Sequence, residues 1–279
     1  MMSDRFLEGR AAMVTGGASG MGRAMALALA RAGAHVAIGS LLQPSSAGKV
    51  DGELAHLPGR EQLDATASAI EQLGVKSLAL ELDVTSNASV KAFFDATTAA
   101  FGKVDILANS AGITAEHVMC GHPDGLWMKV VDVNLHGTYR TIKLALPGMI
   151  ERKWGRIINI ASTAASVGAP ASVAYCASKA AVVGLSRAVA LEGAPHGVTC
   201  NTISPGWVET GFGRDWMTHI AETTEGRSGD AYIADTKAGN PQQRMIQPEE
   251  IGALAAYLCR DEALGITMQD ITVSAGSLW

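Results

Sequence analysis

Two stretches of the chain carry residues whose types and spacing could do chemistry. Tyr175 and Lys179 stand four apart in an alanine-rich run, so on a helix they share one face. A phenol can exchange a proton with an alcohol or carbonyl oxygen once its pKa, about 10 in peptides, is brought toward neutrality. An ammonium ~4 Å away contributes up to about 4 kcal/mol at an effective dielectric near 20, nearly three pKa units in that direction. The second stretch is Thr15-Gly16-Gly17-Ala18-Ser19-Gly20-Met21-Gly22. Its glycines permit a tight turn and let backbone approach a pyrophosphate. A helix starting there adds free N–H groups and a partial positive charge. The seven histidines form no HxxxH or HExxH pattern, and Cys120, Cys176, Cys200 and Cys259 form no CxxC, so no metal site is expected.

The elements that must position these groups alternate along the chain. Short apolar runs at Ala11–Val14, Val36–Ile38, Leu78–Leu82, Ile106–Ala108, Ile157–Ile160, Val198–Ile203 and Ile271–Val273 read as strands. Helical patterns occupy Arg23–Ala32, Glu61–Leu73, Val90–Phe101, Leu126–Arg152, Ala174–Leu191 and Pro248–Cys259. Gly33, Gly74 and Gly102 follow three of them as stop signals. Continuous apolar strands alternating with helices imply an α/β fold, a single doubly wound parallel sheet with helices on both faces. The glycine loop falls between the first strand and first helix, which is the context that gives such a loop meaning.

Composition agrees with one packed domain over residues 1–279. Hydrophobic residues are 48% and charged residues 18%, which excludes a disordered chain. A net charge of −5 argues against nucleic-acid binding. No apolar run is read as a membrane span, the N-terminus lacks a secretory h-region, and the scattered cysteines read as reduced thiols, so the cytoplasm is expected. Two stretches break the alternation. Leu41–Arg60 is an insert that starts at the carboxyl end of a strand and so could border a ligand, with a surface loop the favoured reading. Trp207–Gln243 is long enough to be read as a substrate lid.

Taken together, the motifs resemble the short-chain dehydrogenase/reductase family, from about Arg10 to Gly276. The loop has TGxxxGxG spacing, Asn109-Ser110-Ala111-Gly112 stands where the family has NNAG, and Tyr175–Lys179 matches YxxxK. Ser162 precedes Tyr175 by thirteen positions (175 − 162), the family spacing; its neighbour Thr163 is one position off. The resemblance implies an NAD(P)-dependent oxidoreductase interconverting a secondary alcohol and a ketone, with Asn134, Ser162, Tyr175 and Lys179 catalytic. Ser162 would hydrogen-bond the substrate oxygen, and Asn134 would hold a water linking Lys179 to solvent. Cofactor contacts implied in the same way are Thr15, Gly16, Ser19, Gly20, Met21, Gly22 and Ser40 on the loop side. Asp83, Val84, Asn109, Ala111 and Gly112 would surround the adenosine half. Tyr175, Lys179, Pro205, Gly206, Val208 and Thr210 would surround the nicotinamide half.

The sequence also departs from the family. Ser40 stands where NAD users often carry Asp, and neither Ser19 nor Leu41 is the basic residue of NADP users, leaving Lys49 as a nearby candidate cation. NAD is therefore expected, with NADP not excluded. Ser274-Ala275-Gly276 replaces a common Asp-Gly-Gly. A 3-oxoacyl thioester reductase shares every motif and stays open as an alternative. A non-catalytic dinucleotide-binding regulator would be expected to lose Ser, Tyr or Lys. Trp207 and Trp216 read as packing or subunit contacts ahead of substrate walls, and the charged residues between Arg214 and Arg227 leave a small polar substrate conceivable. Ala177, Ala181, Gly184 and Ala188 form a small-residue stripe, and the resemblance implies a homotetramer closed by that helix and by the C-terminal strand, with Ser277-Leu278-Trp279 reaching a neighbour.

Overall fold

The protein is described by a computed structural model over residues 5–43 and 50–277. Lys49, Leu278 and Trp279, singled out above, lie outside the described residues. The order is β1 (Ala11–Thr15), α1 (Gly20–Arg31), β2 (His35–Ser40), β3 (Glu53–Leu54), α2 (Arg60–Glu71), β4 (Ser77–Glu81), α3 (Asn87–Phe101), β5 (Ile106–Asn109) and β6 (Thr114–Ala115). Then come α4 (Asp124–Val131), α5 (Gly137–Glu151), β7 (Gly155–Ile160), α6 (Val173–Gly193), β8 (Val198–Pro205), α7 (Gly211–Ile220), α8 (Gly229–Gly239), α9 (Pro248–Leu258) and β9 (Asp270–Val273).

Seven strands form one sheet in the order β4-β2-β1-β5-β7-β8-β9, every pair parallel. Strand order reverses between β1 and β5, and the crevice outside the strand ends at such a switch point is where open α/β sheets bind ligands. The central strands β1, β5, β7 and β8 are buried at every position, while the edge strands β4 and β9 are partly exposed. In β1, Ala12 and Val14 join the core under α1, α2 and α9, while Met13 joins the core under α3, α5 and α6. The first core closes tightly because Gly252 of α9 lies against the Ala24 carbonyl of α1, where a Cβ would come within 2.6 Å.

Three features differ from the sequence reading. Leu126–Arg152 is α4 and α5 joined by a π-helical turn, Asp132–His136, rather than one regular helix. Trp207–Gln243 is mostly helical, α7 and α8 joined by a second π turn, Ala221–Glu225. By length and mean hydropathy Val173–His196 does reach the size of a membrane span, because alanine and valine raise the average. Half of its most apolar window is nevertheless buried within the fold.

Candidate active site

The glycine loop curls between β1 and α1 as its residue types require. Gly16 has φ +67° and packs where a Cβ would sit 3.0 Å from the Ala111 nitrogen, and a Cβ on Gly22 would lie 2.1 Å from the Gly16 carbonyl. Ser19 occupies the N-cap of α1 without a side-chain cap, which leaves first-turn N–H groups for another acceptor. These groups open on a cleft of about 1300 Å³, counted out to its mouth, lined by Gly16, Ser19, Gly20, Met21, Ser40, Asp83, Val84, Ala111, Gly112, Tyr175, Lys179 and Thr210. A backbone cradle with no Cβ at its closest approach and an uncapped helix end suits a dinucleotide's pyrophosphate.

Six expected cofactor residues do not line that cleft. Thr15 is buried behind it, its hydroxyl accepting from the Ser110 and Ala111 amides at 3.1 and 3.2 Å, so it fastens the loop after β5 to the glycine loop. Gly22 closes the turn. The Asn109 amide is spent inside the fold, donating to Asn159 at 2.8 Å and accepting from Thr141 at 2.7 Å. Pro205, Gly206 and Val208 line a smaller adjoining pocket instead. Ser40 does line the cleft, and its hydroxyl accepts from the Ala18 amide at 3.1 Å, pinning the loop. Asp83 is oriented by the Thr85 amide and hydroxyl, at 2.9 and 2.7 Å.

Tyr175 sits where the two pockets meet and lines both. It lies in the first turn of α6. Ser162, two residues past the end of β7, faces the phenol and favours its ionised form, and its hydroxyl accepts from the Ala164 amide at 3.1 Å. Lys179, one turn along α6, has Nζ 5.6 Å from the Tyr175 ring centroid and donates to the Ile160 carbonyl at 2.8 Å. Thr163 turns away, donating to the Pro205 carbonyl at 3.4 Å. Burial pushes the Tyr175 phenol up to about 12 and the Lys179 ammonium down to about 8. The ammonium is expected from the sequence to draw the phenol toward neutrality; in the bare protein desolvation dominates at both groups, opposed at the phenol by Ser162.

Asn134 stands in the π turn, and its side-chain amide is fully engaged. It exchanges hydrogen bonds with the Ile113 backbone, both at 2.9 Å, and donates to the Ser178 hydroxyl at 3.0 Å. The amide thus ties the loop after β5 to α6.

The smaller pocket, about 610 Å³ to its mouth, is lined by Ser162 and Thr163 and by the rings of Tyr175, Trp207, Phe212 and Trp216. Both tryptophans pack in an aromatic cluster, as expected, and also form walls of the pocket. The charges of the same segment pair away from the pocket, Arg214 with Glu209, Asp215 with His56, and Arg227 with Glu225 and Asp235. The insert borders the cleft, as its start at a strand's carboxyl end allowed, rather than being a surface loop alone. Its β3 pairs antiparallel with β6, and Glu53, Ala55, His56, Leu57 and Pro58 roof the larger cleft. His56 Nδ1 meets the Asp215 carboxylate of α7 at 2.9 Å.

Comparison with known proteins agrees with this geometry. A family model described as enoyl-(acyl carrier protein) reductase matches residues 16–277. The 3-oxoacyl-(acyl-carrier-protein) reductase FabG of Vibrio cholerae is 34% identical, covering 97% of this chain and 98% of the relative. The chain belongs to the short-chain dehydrogenase/reductases. Among solved members, an actinorhodin polyketide ketoreductase with NADPH superposes with TM-score 0.86 at 33% identity, covering 96% of both chains. An NAD+-bound xylitol dehydrogenase superposes with TM-score 0.85 at 28% identity, covering 97% of this chain and 99% of that one. As a short-chain dehydrogenase/reductase, the protein is an NAD(P)-dependent oxidoreductase acting on CH–OH and keto groups.

Proposed function

We propose that Ser162, Tyr175 and Lys179 carry out the proton side of this reaction, on a substrate in the smaller pocket. The nicotinamide, when bound, supplies or accepts the hydride. The observation that carries the reading is the placing of Tyr175 at the junction of the two pockets with Ser162 at its hydroxyl and Lys179 one turn away. In reduction, the Tyr175 hydroxyl donates its proton to the carbonyl oxygen as charge develops there, and Ser162 stabilises that charge by hydrogen bonding. Lys179, held by the Ile160 carbonyl, lies in the larger cleft, where its nitrogen can bond a cofactor ribose hydroxyl. Asn134 positions Ser178, and with it the first turns of α6.

NAD is the proposed cofactor, because Ser19, Ser40 and Leu41 offer no cation to a 2′-phosphate. The Trp207–Gln243 segment and the insert act as the roof over the bound pair. The four free thiols suit a reducing cytoplasm. A 3-oxoacyl thioester remains the second substrate reading, favoured by the name of the Vibrio relative. The test is reduced-nicotinamide absorbance across ketones and alcohols with both cofactors. Turnover with NADH ahead of NADPH is expected. No turnover with any compound sinks the catalytic reading, and a preference for NADPH sinks the cofactor assignment.

A further inference from the structure

Given a site that exchanges hydride and proton at a carbonyl, as proposed above, the smaller pocket decides which carbonyl compound enters. Its walls are unusually aromatic for a chain with 5% aromatic residues. Phe212 and Trp216 stand four apart on α7 and so share a face, and Trp207 follows β8. Trp216 is the centre of the group. Its ring lies edge-on to Tyr175 at 5.0 Å and to Trp207 at 4.9 Å, and tilted to Phe212 at 5.9 Å. Leu54 of the insert packs against the same cluster.

The indole is held in place. Its Nε1–H donates to the Glu116 carboxylate at 2.5 Å, and the Ser172 hydroxyl donates to the same oxygen at 2.8 Å. Glu116 thereby links α7 to the start of α6, three residues before Tyr175. Among the described residues, no side chain lining this pocket carries a charge at neutral pH. The nearest carboxylate behind the wall is Glu116, whose field opposes an anion. The pocket's polar groups are largely spoken for. Thr163 donates to Pro205, the Asn240 amide donates to the Arg244 carbonyl at 2.7 Å, and Ser162 faces the phenol. A thioester arm rich in amides would find few partners there, whereas a ring finds edge-to-face neighbours.

We propose that this pocket selects a compact, uncharged, ring-bearing ketone or secondary alcohol over an open-chain acyl thioester, and that Trp216, positioned by Glu116, sets the choice. The experiment compares kcat/KM of the full chain for 1-tetralone, cyclohexanone, the acetoacetyl thioester of N-acetylcysteamine and 4-oxopentanoate, in wild type, Trp216→Ala and Trp216→Phe. The ring ketones should lead by at least ~10-fold. Trp216→Ala should lose at least ~10-fold on the rings and under ~3-fold on the thioester, while Trp216→Phe stays within ~3-fold of wild type on the rings. Unchanged cofactor affinity in both variants shows that the fold survives. A thioester or 4-oxopentanoate turned over as well as the rings overturns the proposal, as does an equal loss on all substrates in Trp216→Ala. Tryptophan quenching by each compound, measured in the presence of cofactor, separates the two readings. Binding of 1-tetralone without the thioester, in a protein that turns nothing over, keeps the substrate class and rejects the catalytic assignment. Binding of neither rejects the substrate class.

Discussion

At the scale of single residues, burial governs the site more than pairing does. Tyr175 and Lys179 are both taken out of water, and each is driven toward its neutral form, the phenol up to about 12 and the amine down to about 8. The spacing of the two residues was legible in the sequence; the degree of their burial was not, because it comes from β7, α6 and α7 closing around them. Lys179 makes a testable contribution to stability. Its ordinary pKa of 10.5 falls to about 8 on folding, so between these values the unfolded chain binds the extra proton. Stability due to this group therefore rises with pH from about 8 to 10.5, by on the order of 3 kcal/mol over the whole window. Urea unfolding of the cofactor-free protein at pH 8 and pH 10 checks the sign. The difference between wild type and Lys179→Met should move in favour of wild type as pH rises, and parallel pH dependence in the two proteins would refute the assignment.

At the scale of elements, the parallel strands were easy to read and the segments that roof the site were not. The predicted Ile157–Ile160 and Val198–Ile203 lie inside β7 and β8, since a strand buried on both faces is rich in apolar and β-branched residues even where Asn159, Thr199, Asn201 and Thr202 interrupt it. The insert shows no periodicity, because β3 is two residues long and exists only by pairing with β6. The π turn that carries Asn134 is likewise a product of packing. A helix was hidden in the supposed loop after β8, where Phe212, Trp216 and Ile220 recur at helical spacing among glycines that obscure it. The insert and α7 meet through His56 and Asp215, with Gly211 leaving room for the imidazole. An exposed pair of this kind contributes up to about 1 kcal/mol, so His56→Ala should speed cofactor dissociation by no more than about fivefold. Stopped-flow displacement of bound NADH reads this rate. A rate equal to wild type would show that the two segments do not hold the cleft shut together.

At the scale of the whole molecule, one helix serves two surfaces. The face of α6 carrying Tyr175, Ser178 and Lys179 is buried in the site, while Ala177, Gly184 and Ala188 on the opposite face are exposed, and a Cβ on Gly184 would meet nothing within 4 Å. The stripe does not pack on the chain's own sheet, and the exposed Leu191 and Tyr139 lie on α6 and α5. We propose that this face pairs with a second copy, in a homotetramer. Light scattering at micromolar concentration should give a multiple of 28.9 kDa, with a monomer mass contradicting the assembly. In the proposed reaction Tyr175 moves the proton while the glycine cradle independently holds the dinucleotide. The most direct measurement is turnover and NADH affinity of Tyr175→Phe, on a ketone the wild type reduces. The predicted result is turnover lowered by at least ~100-fold with NADH affinity unchanged; turnover near that of the wild type would contradict it.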